Sequence, residues 1–290
     1  MHILSTENII PAVHPLPGPA GDAATAEASA LFVHATGFHG RIWGPLARHL
    51  SGVDAHGIDL RGHGDTAAPE GYEFPWAAFG QDVLTAVDAL PERPRKPIGI
   101  GHSLGGASLL LAEAARPGTF GALWLYEPAG LPPVTDPTAE PGEAPPGSVM
   151  INATRRRRAV FPDRADALKN YSSKPPMNAF EPDVLAAYVE HGFADDGDQV
   201  RLKCLPDNEA QVYLSLGNAN VYDVMPDVKC PVLIVRGSGP EAEWLEGIED
   251  RFPQGQAEYH ADLSHFGPFT HSERLAGSIS AWLRQTSAAD

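Results

Sequence analysis

Cysteine is nearly missing from this chain: Cys204 and Cys230 are the only two in 290 residues. They make no disulfide scaffold, and neither has a second ligand at zinc-site spacing. Both read as reduced, small apolar residues. Basic residues are also scarce, with 21 Lys and Arg against 37 Asp and Glu and a formal net charge of −16. A chain this acidic argues against nucleic acid and anionic membrane surfaces as partners. No apolar run approaches the roughly 18 residues that span a bilayer. The stretch from Met1 to Pro19 lacks a basic segment followed by an apolar one, so no secretory leader is expected. No internal repeat is found. These absences predict a cytoplasmic protein without a membrane span.

Glycine (29) and proline (28) are abundant, together about a fifth of the chain where average usage gives roughly 12%. With no collagen-like period, the excess signals many turns. With 43% hydrophobic and 20% charged residues, wholesale disorder is excluded. A chain of this length can bury a core without covalent staples.

After a proline-interrupted edge strand at Asn8–Leu16, the pattern becomes regular. Strands are predicted at Ala30–Val33, Ala55–Leu60, Pro97–Ile100 and Leu123–Tyr126. Helices are predicted at Trp43–Leu50, Trp76–Leu90 and Leu104–Ala115. Alternating strands and helices imply parallel strands with helical crossovers, an α/β sheet flanked by helices. The alternation breaks at Pro128. It resumes with a strand at Pro231–Val235, a helix at Glu241–Phe252, a strand at Gln256–His260 and a helix at Glu273–Gln285. The expected organisation is a core of 1–128 plus 229–290, with a helical cap inserted at 129–228.

Gly101-His102-Ser103-Leu104-Gly105, followed by Gly106, lies between a predicted strand and a predicted helix. That context makes it a G-x-S-x-G nucleophile elbow, in which small neighbours let strand and helix pass closely and a strained turn lifts the serine hydroxyl. The helix N-terminus favours negative charge developing beside it. Ser103 is the predicted nucleophile, and the amide of Leu104 one oxyanion donor.

Together with His34-Ala35-Thr36-Gly37-Phe38, Asp59-Leu60-Arg61-Gly62-His63-Gly64 and Ser264-His265-Phe266, in this order, the elbow resembles the α/β-hydrolase superfamily. The resemblance covers about two thirds of the chain and leaves the cap uncovered. It implies His265 as the catalytic base, at the place after the last strand. It puts the second oxyanion donor at the amide of Thr36, with Phe38 in reserve; Ala35 departs mildly from the family's usual His-Gly. His34 and His63 read as holding loops in place. The family's usual acid, an Asp soon after the strand Pro231–Val235, is missing, and Pro240 stands in its place. Two candidates remain open. Glu127 ends the strand after the elbow helix, where some relatives, including haloalkane dehalogenases, carry the acid. Glu241 is one step late. Asp262 is too close in sequence to His265.

The resemblance implies a serine hydrolase acting on a small ester, thioester or lactone, with no metal or organic cofactor. Serine at the elbow argues against dehalogenase and epoxide hydrolase chemistry, which use Asp there. Carbon–carbon bond hydrolysis, cofactor-free perhydrolysis or oxygenation, and a non-catalytic binding role stay open. Phe38, Trp43, Phe161 and Tyr171 are candidate pocket residues. Arg155-Arg156-Arg157-Arg158 is the only basic cluster, expected as a solvated face unless one arginine turns inward and binds a substrate carboxylate bidentately.

Overall fold

A computed structural model of the chain describes residues 9–19, 25–26, 28–130, 148–218 and 221–287. Ten strands occur there: β1 (Ala12–Pro15), β2 (Ala28–Val33), β3 (Val53–Asp59), β4 (Ile98–His102), β5 (Ala122–Tyr126), β6 (Val160–Phe161), β7 (Phe193–Asp196), β8 (Gln199–Leu202), β9 (Val232–Arg236) and β10 (Gly255–Tyr259). Seven of them form one sheet in the order β1-β3-β2-β4-β5-β9-β10. Only β1 runs antiparallel to its neighbour; the other pairs are parallel. The expected mostly parallel sheet is therefore present, and the proline-flanked first strand lies at its edge, where a missing N–H is tolerated.

Side chains on a strand alternate between faces, and here both faces are apolar. Ala30, Phe32, Trp124 and Tyr126 belong to one buried cluster. Leu31, Val33, Leu123 and Leu125 belong to the other. The helix Ser272–Ser287 covers the first face, where Trp124 Nε1 donates to Ser278 Oγ at 3.0 Å. Helices Trp76–Asp88 and Leu104–Ala115 cover the second and pack on each other. Phe79, Val83, Ala107 and Leu110 are fully enclosed there.

The predicted long helix at Glu241–Phe252 is not formed. A short helix, Pro240–Glu243, gives way to turns, then to a 3₁₀ turn at Ile248–Arg251. Gly247 adopts a left-handed φ of 78° and breaks the run. The predicted helix at Trp43–Leu50 is likewise a 3₁₀ turn, Gly40–Trp43, followed by one helical turn, Gly44–Ala47.

Between β5 and β9 the chain is not wholly helical. Strands β6, β8 and β7 form a separate antiparallel sheet, among helices Arg164–Ser172, Pro182–Gly192 and Pro206–Leu214. Specific bonds seat this intervening segment on loops of the large sheet. Glu181 N–H donates to the Phe269 carbonyl (2.9 Å), and Ser272 N–H to Glu181 Oε1 (2.9 Å). Lys203 reaches Asp65 at 2.6 Å.

Candidate active site

Parallel strands present their carboxyl ends together, so the loops after β2, β3, β4, β5, β9 and β10 share one end of the sheet. One of these turns is at Ser103, directly after β4. Its φ of 52° and ψ of −116° are costly for a residue with a side chain. Three hydrogen bonds hold it there. Ser103 N–H donates to the Tyr126 carbonyl (3.0 Å), and Ser103 O accepts from Ala107 (3.1 Å) and Ala129 (3.0 Å). Gly105 is needed because a Cβ there would stand 2.1 Å from the Val33 carbonyl oxygen. The helix thereby passes directly over the end of β2.

Glu127 is the first residue after β5 and also has positive φ, 41°. Its carboxylate is buried and accepts at both oxygens. Gly237 N–H donates to Oε1 at 2.7 Å, and His265 Nδ1–H donates to Oε2 at 2.6 Å. Glu127, one of the two candidate acids, is thus bonded to His265. Glu241 lies in the short helix Pro240–Glu243, its side chain outside the described residues. Asp262 points elsewhere and pairs with Arg274 at 2.7 Å. His260 pairs with Glu258 at 2.6 Å and also bonds Arg274.

The imidazole of His265 lies against that of His102, the residue before Ser103, with ring centroids 4.7 Å apart. His102 is fully buried, and burial, followed by the neighbouring His265, pushes its pKa well below the usual imidazole range. It is a neutral packing surface. Around these rings stand Phe266 and Phe269, with Phe38 and Phe180 behind. Phe38 thus lies in the aromatic wall, whereas Trp43 and Phe161 do not. Trp43 is enclosed between Phe32 and Phe269, and Phe161 between Tyr171 and Phe193; both are core. Tyr188 and Phe269, which flank Phe38, carried no sequence signal beyond apolar spacing.

The loop after β2 is fixed by His34. Its Nε2 accepts the Leu60 N–H (3.0 Å), which leaves the proton on Nδ1 to donate to the Ala35 carbonyl (2.8 Å). Among the described residues no backbone carbonyl takes the amide of Thr36 or Leu104, whereas the reserve donor Phe38 is spent on Ala35 O at 3.2 Å. The loop after β3 wraps Asp59, whose oxygens accept from Gly40 N–H (2.7 Å), Asp65 N–H (2.7 Å) and His14 Nε2–H (2.8 Å). Burial alone would raise the Asp59 carboxyl, but these donors and nearby histidines hold it below its usual range. His14, Asp59 and Asp65 form the only metal-ligand-like grouping among the described residues. Lys203 and Arg41 already answer the outer carboxylate.

Burial lowers His39 and His63 to about 3 each, so both stay neutral in the folded protein. Unfolded, they titrate near 6.5. As pH falls below 6.5 the unfolded chain takes up protons that the folded one refuses, and stability drops by up to about 1.4 kcal/mol per pH unit for each histidine. The urea midpoint is expected to fall between pH 7 and pH 5, and to fall less steeply in His63→Asn. A midpoint that stays level across this range would refute the buried neutral state.

A family model described as the alpha/beta hydrolase family matches residues 30–278. The chain is 36% identical over 116 residues to Lipase LipV of Mycobacterium tuberculosis, covering 39% of this chain and 40% of that protein. It is 36% identical over 113 residues to the monoglyceride lipase of Homo sapiens, covering 37% of each. The matched stretch thus spans about two fifths of the length of these curated relatives. Among solved structures, the peroxisomal alpha-beta-hydrolase Lpx1 of Saccharomyces cerevisiae superposes with a TM-score of 0.77 at 17% identity, covering 96% of this chain and 82% of that one. Among the described residues no helix is long and apolar enough to cross a membrane.

Proposed function

Because the chain belongs to the alpha/beta hydrolase family, we propose that it is a serine hydrolase that cleaves a small carboxylic ester, thioester or lactone through an acyl-enzyme on Ser103. The observation that carries this reading is the 2.6 Å bond from His265 Nδ1 to a Glu127 carboxylate that Gly237 N–H also holds. With its proton committed to Glu127, His265 keeps Nε2 as a lone pair, the form a base requires.

Ser103 Oγ attacks the substrate carbonyl carbon while His265 Nε2 takes the hydroxyl proton. The tetrahedral oxyanion is met by the amides of Thr36 and Leu104, which have no backbone acceptor of their own among the described residues. Collapse of the intermediate breaks the bond to the leaving group, and His265 returns the proton to the departing oxygen or sulfur. Water then attacks the acyl-enzyme, His265 takes its proton, and the acid leaves as Ser103 Oγ is reprotonated. Glu127 stabilises the imidazolium in both halves. No metal or organic cofactor enters these steps.

The segment 129–228 acts in this reading as a cap over the site, and Phe38 contributes to its acyl pocket; Tyr171, also a candidate from the sequence, packs behind it on Tyr188. The names of the lipase relatives support an ester substrate. The test is a panel of p-nitrophenyl esters, thioesters and lactones, together with a fluorophosphonate reagent and peptide mapping of the label. Turnover of the panel with the label on Ser103 is expected. Cleavage of a diketone in preference to every ester would overturn the substrate class, and a label elsewhere would overturn the nucleophile.

A further inference from the structure

One arginine of the basic run turns inward. Arg155, Arg156 and Arg158 are exposed, whereas Arg157 pairs with the buried carboxylate of Glu209, 52 residues away. Arg157 Nη2 also donates to the Tyr188 hydroxyl at 2.7 Å and to that of Tyr171 at 3.4 Å. Every member of this group comes from the segment between β5 and β9. What the group touches, however, belongs to the core loop after β2. Gly37 has a left-handed φ of 84°, and a Cβ there would stand 2.7 Å from Glu209 Oε1 and 3.3 Å from Arg157 Nη1. The backbone therefore rests directly on the ion pair, and only glycine permits that approach. Phe38, the next residue, packs on the Tyr188 ring at 5.6 Å.

A substrate carboxylate is a poor occupant for Arg157, because Glu209 already supplies the opposing charge. The geometry points instead to a positioning role: we propose that the Arg157–Glu209 pair holds the loop Thr36–Phe38 so that the Thr36 amide meets the oxyanion. This inference rests on the reading of Ser103 as nucleophile and Thr36 as donor. It makes the oxyanion site a joint product of core and intervening segment: the amide belongs to the core, and its support to the segment.

The test replaces both charges at once. Arg157→Met/Glu209→Met keeps apolar volume and leaves no orphan charge, and such exchanges of buried pairs are often neutral for stability. The expected result is a folded protein with kcat on a p-nitrophenyl ester lowered about 10²-fold and KM changed by less than about threefold. Affinity for a methyl trifluoromethyl ketone, whose hemiketal oxyanion needs the same amide, falls by the factor seen in kcat. A merely structural pair would lower the melting temperature and leave the kcat of the folded fraction intact, which would overturn the proposal. A rise in KM at unchanged kcat would also overturn it, because the pair would then serve ground-state binding. If the double variant does not fold, Glu209→Gln, which keeps the shape and loses the charge, is read by the same criteria. Ser103→Ala is run alongside. If it retains turnover, the reading of the nucleophile fails and takes this proposal with it; if it is inactive, the kcat of the pair variant decides the proposal alone.

Discussion

Ser103→Ala is expected to lower ester turnover by about 10⁶-fold while leaving the fold intact. The backbone at this position is held by groups that alanine retains. Its N–H bonds the Tyr126 carbonyl, and its carbonyl accepts from Ala107 and Ala129. The positive φ is no worse for alanine than for serine. Only Oγ is lost, so the melting temperature stays within about 2 °C. Without Oγ there is no acyl-enzyme, and water facing the oxyanion donors is all that remains of catalysis. Steady-state rates on one p-nitrophenyl ester, beside a melting curve, measure both quantities. A variant retaining about a tenth of wild-type kcat would show that the nucleophile lies elsewhere.

The second large effect is expected from Glu127→Gln, a fall in kcat of about 10⁴-fold. The amide has the volume of the carboxylate but one face that donates. Gly237 N–H requires an acceptor, so the amide oxygen turns toward it and the amide nitrogen toward His265 Nδ1. That nitrogen then donates to Nδ1 and drives the imidazole proton onto Nε2, where the base should be. The side chain still fits, yet the tautomer is wrong. Glu241→Gln in parallel is expected to keep kcat within about twofold. Full activity in Glu127→Gln combined with loss in Glu241→Gln would reverse the assignment of the acid.

Much of this arrangement is legible in the sequence. The strands of the large sheet stand out because both faces are buried and their residues are almost continuously apolar, as in Ala30–Val33 and Leu123–Tyr126. A charged residue after four apolar ones singles out Glu127 at a strand tip. Three kinds of information were not legible. The break at Gly247 depends on a left-handed turn that helical periodicity cannot register. The small sheet β6-β8-β7 is built from strands of two to four residues, too short to display a period. Partners far apart in sequence, such as Arg157 with Glu209, leave no local pattern. The aromatics divide in the same way. Phe38 and Trp43 look alike in sequence, yet only Phe38 stands in the wall beside His102 and His265, by way of Phe266 and Phe269. The five-residue offset between them crosses the 3₁₀ turn Gly40–Trp43, and Trp43 ends fully buried between Phe32 and Phe269.

The bond from Ala129 N–H to the Ser103 carbonyl has a mechanical consequence. The chain leaves the sheet at Glu127, and within two residues it is moored to the elbow. Glu127 N–H is in turn bonded to Val235 O, and Pro128 lies against Gly106, where a Cβ would come within 2.8 Å of it. Ser103 and Glu127 are thereby tied to one another through the backbone alone. Glu127 and Ser103 stand on this tied stretch, whereas Arg157 and Glu209, on which Gly37 rests, lie outside it. The two supports are therefore separable: on the proposed reading, a change at Arg157 or Glu209 would slacken the anion cradle at Gly37 and leave the Glu127–His265 proton relay intact.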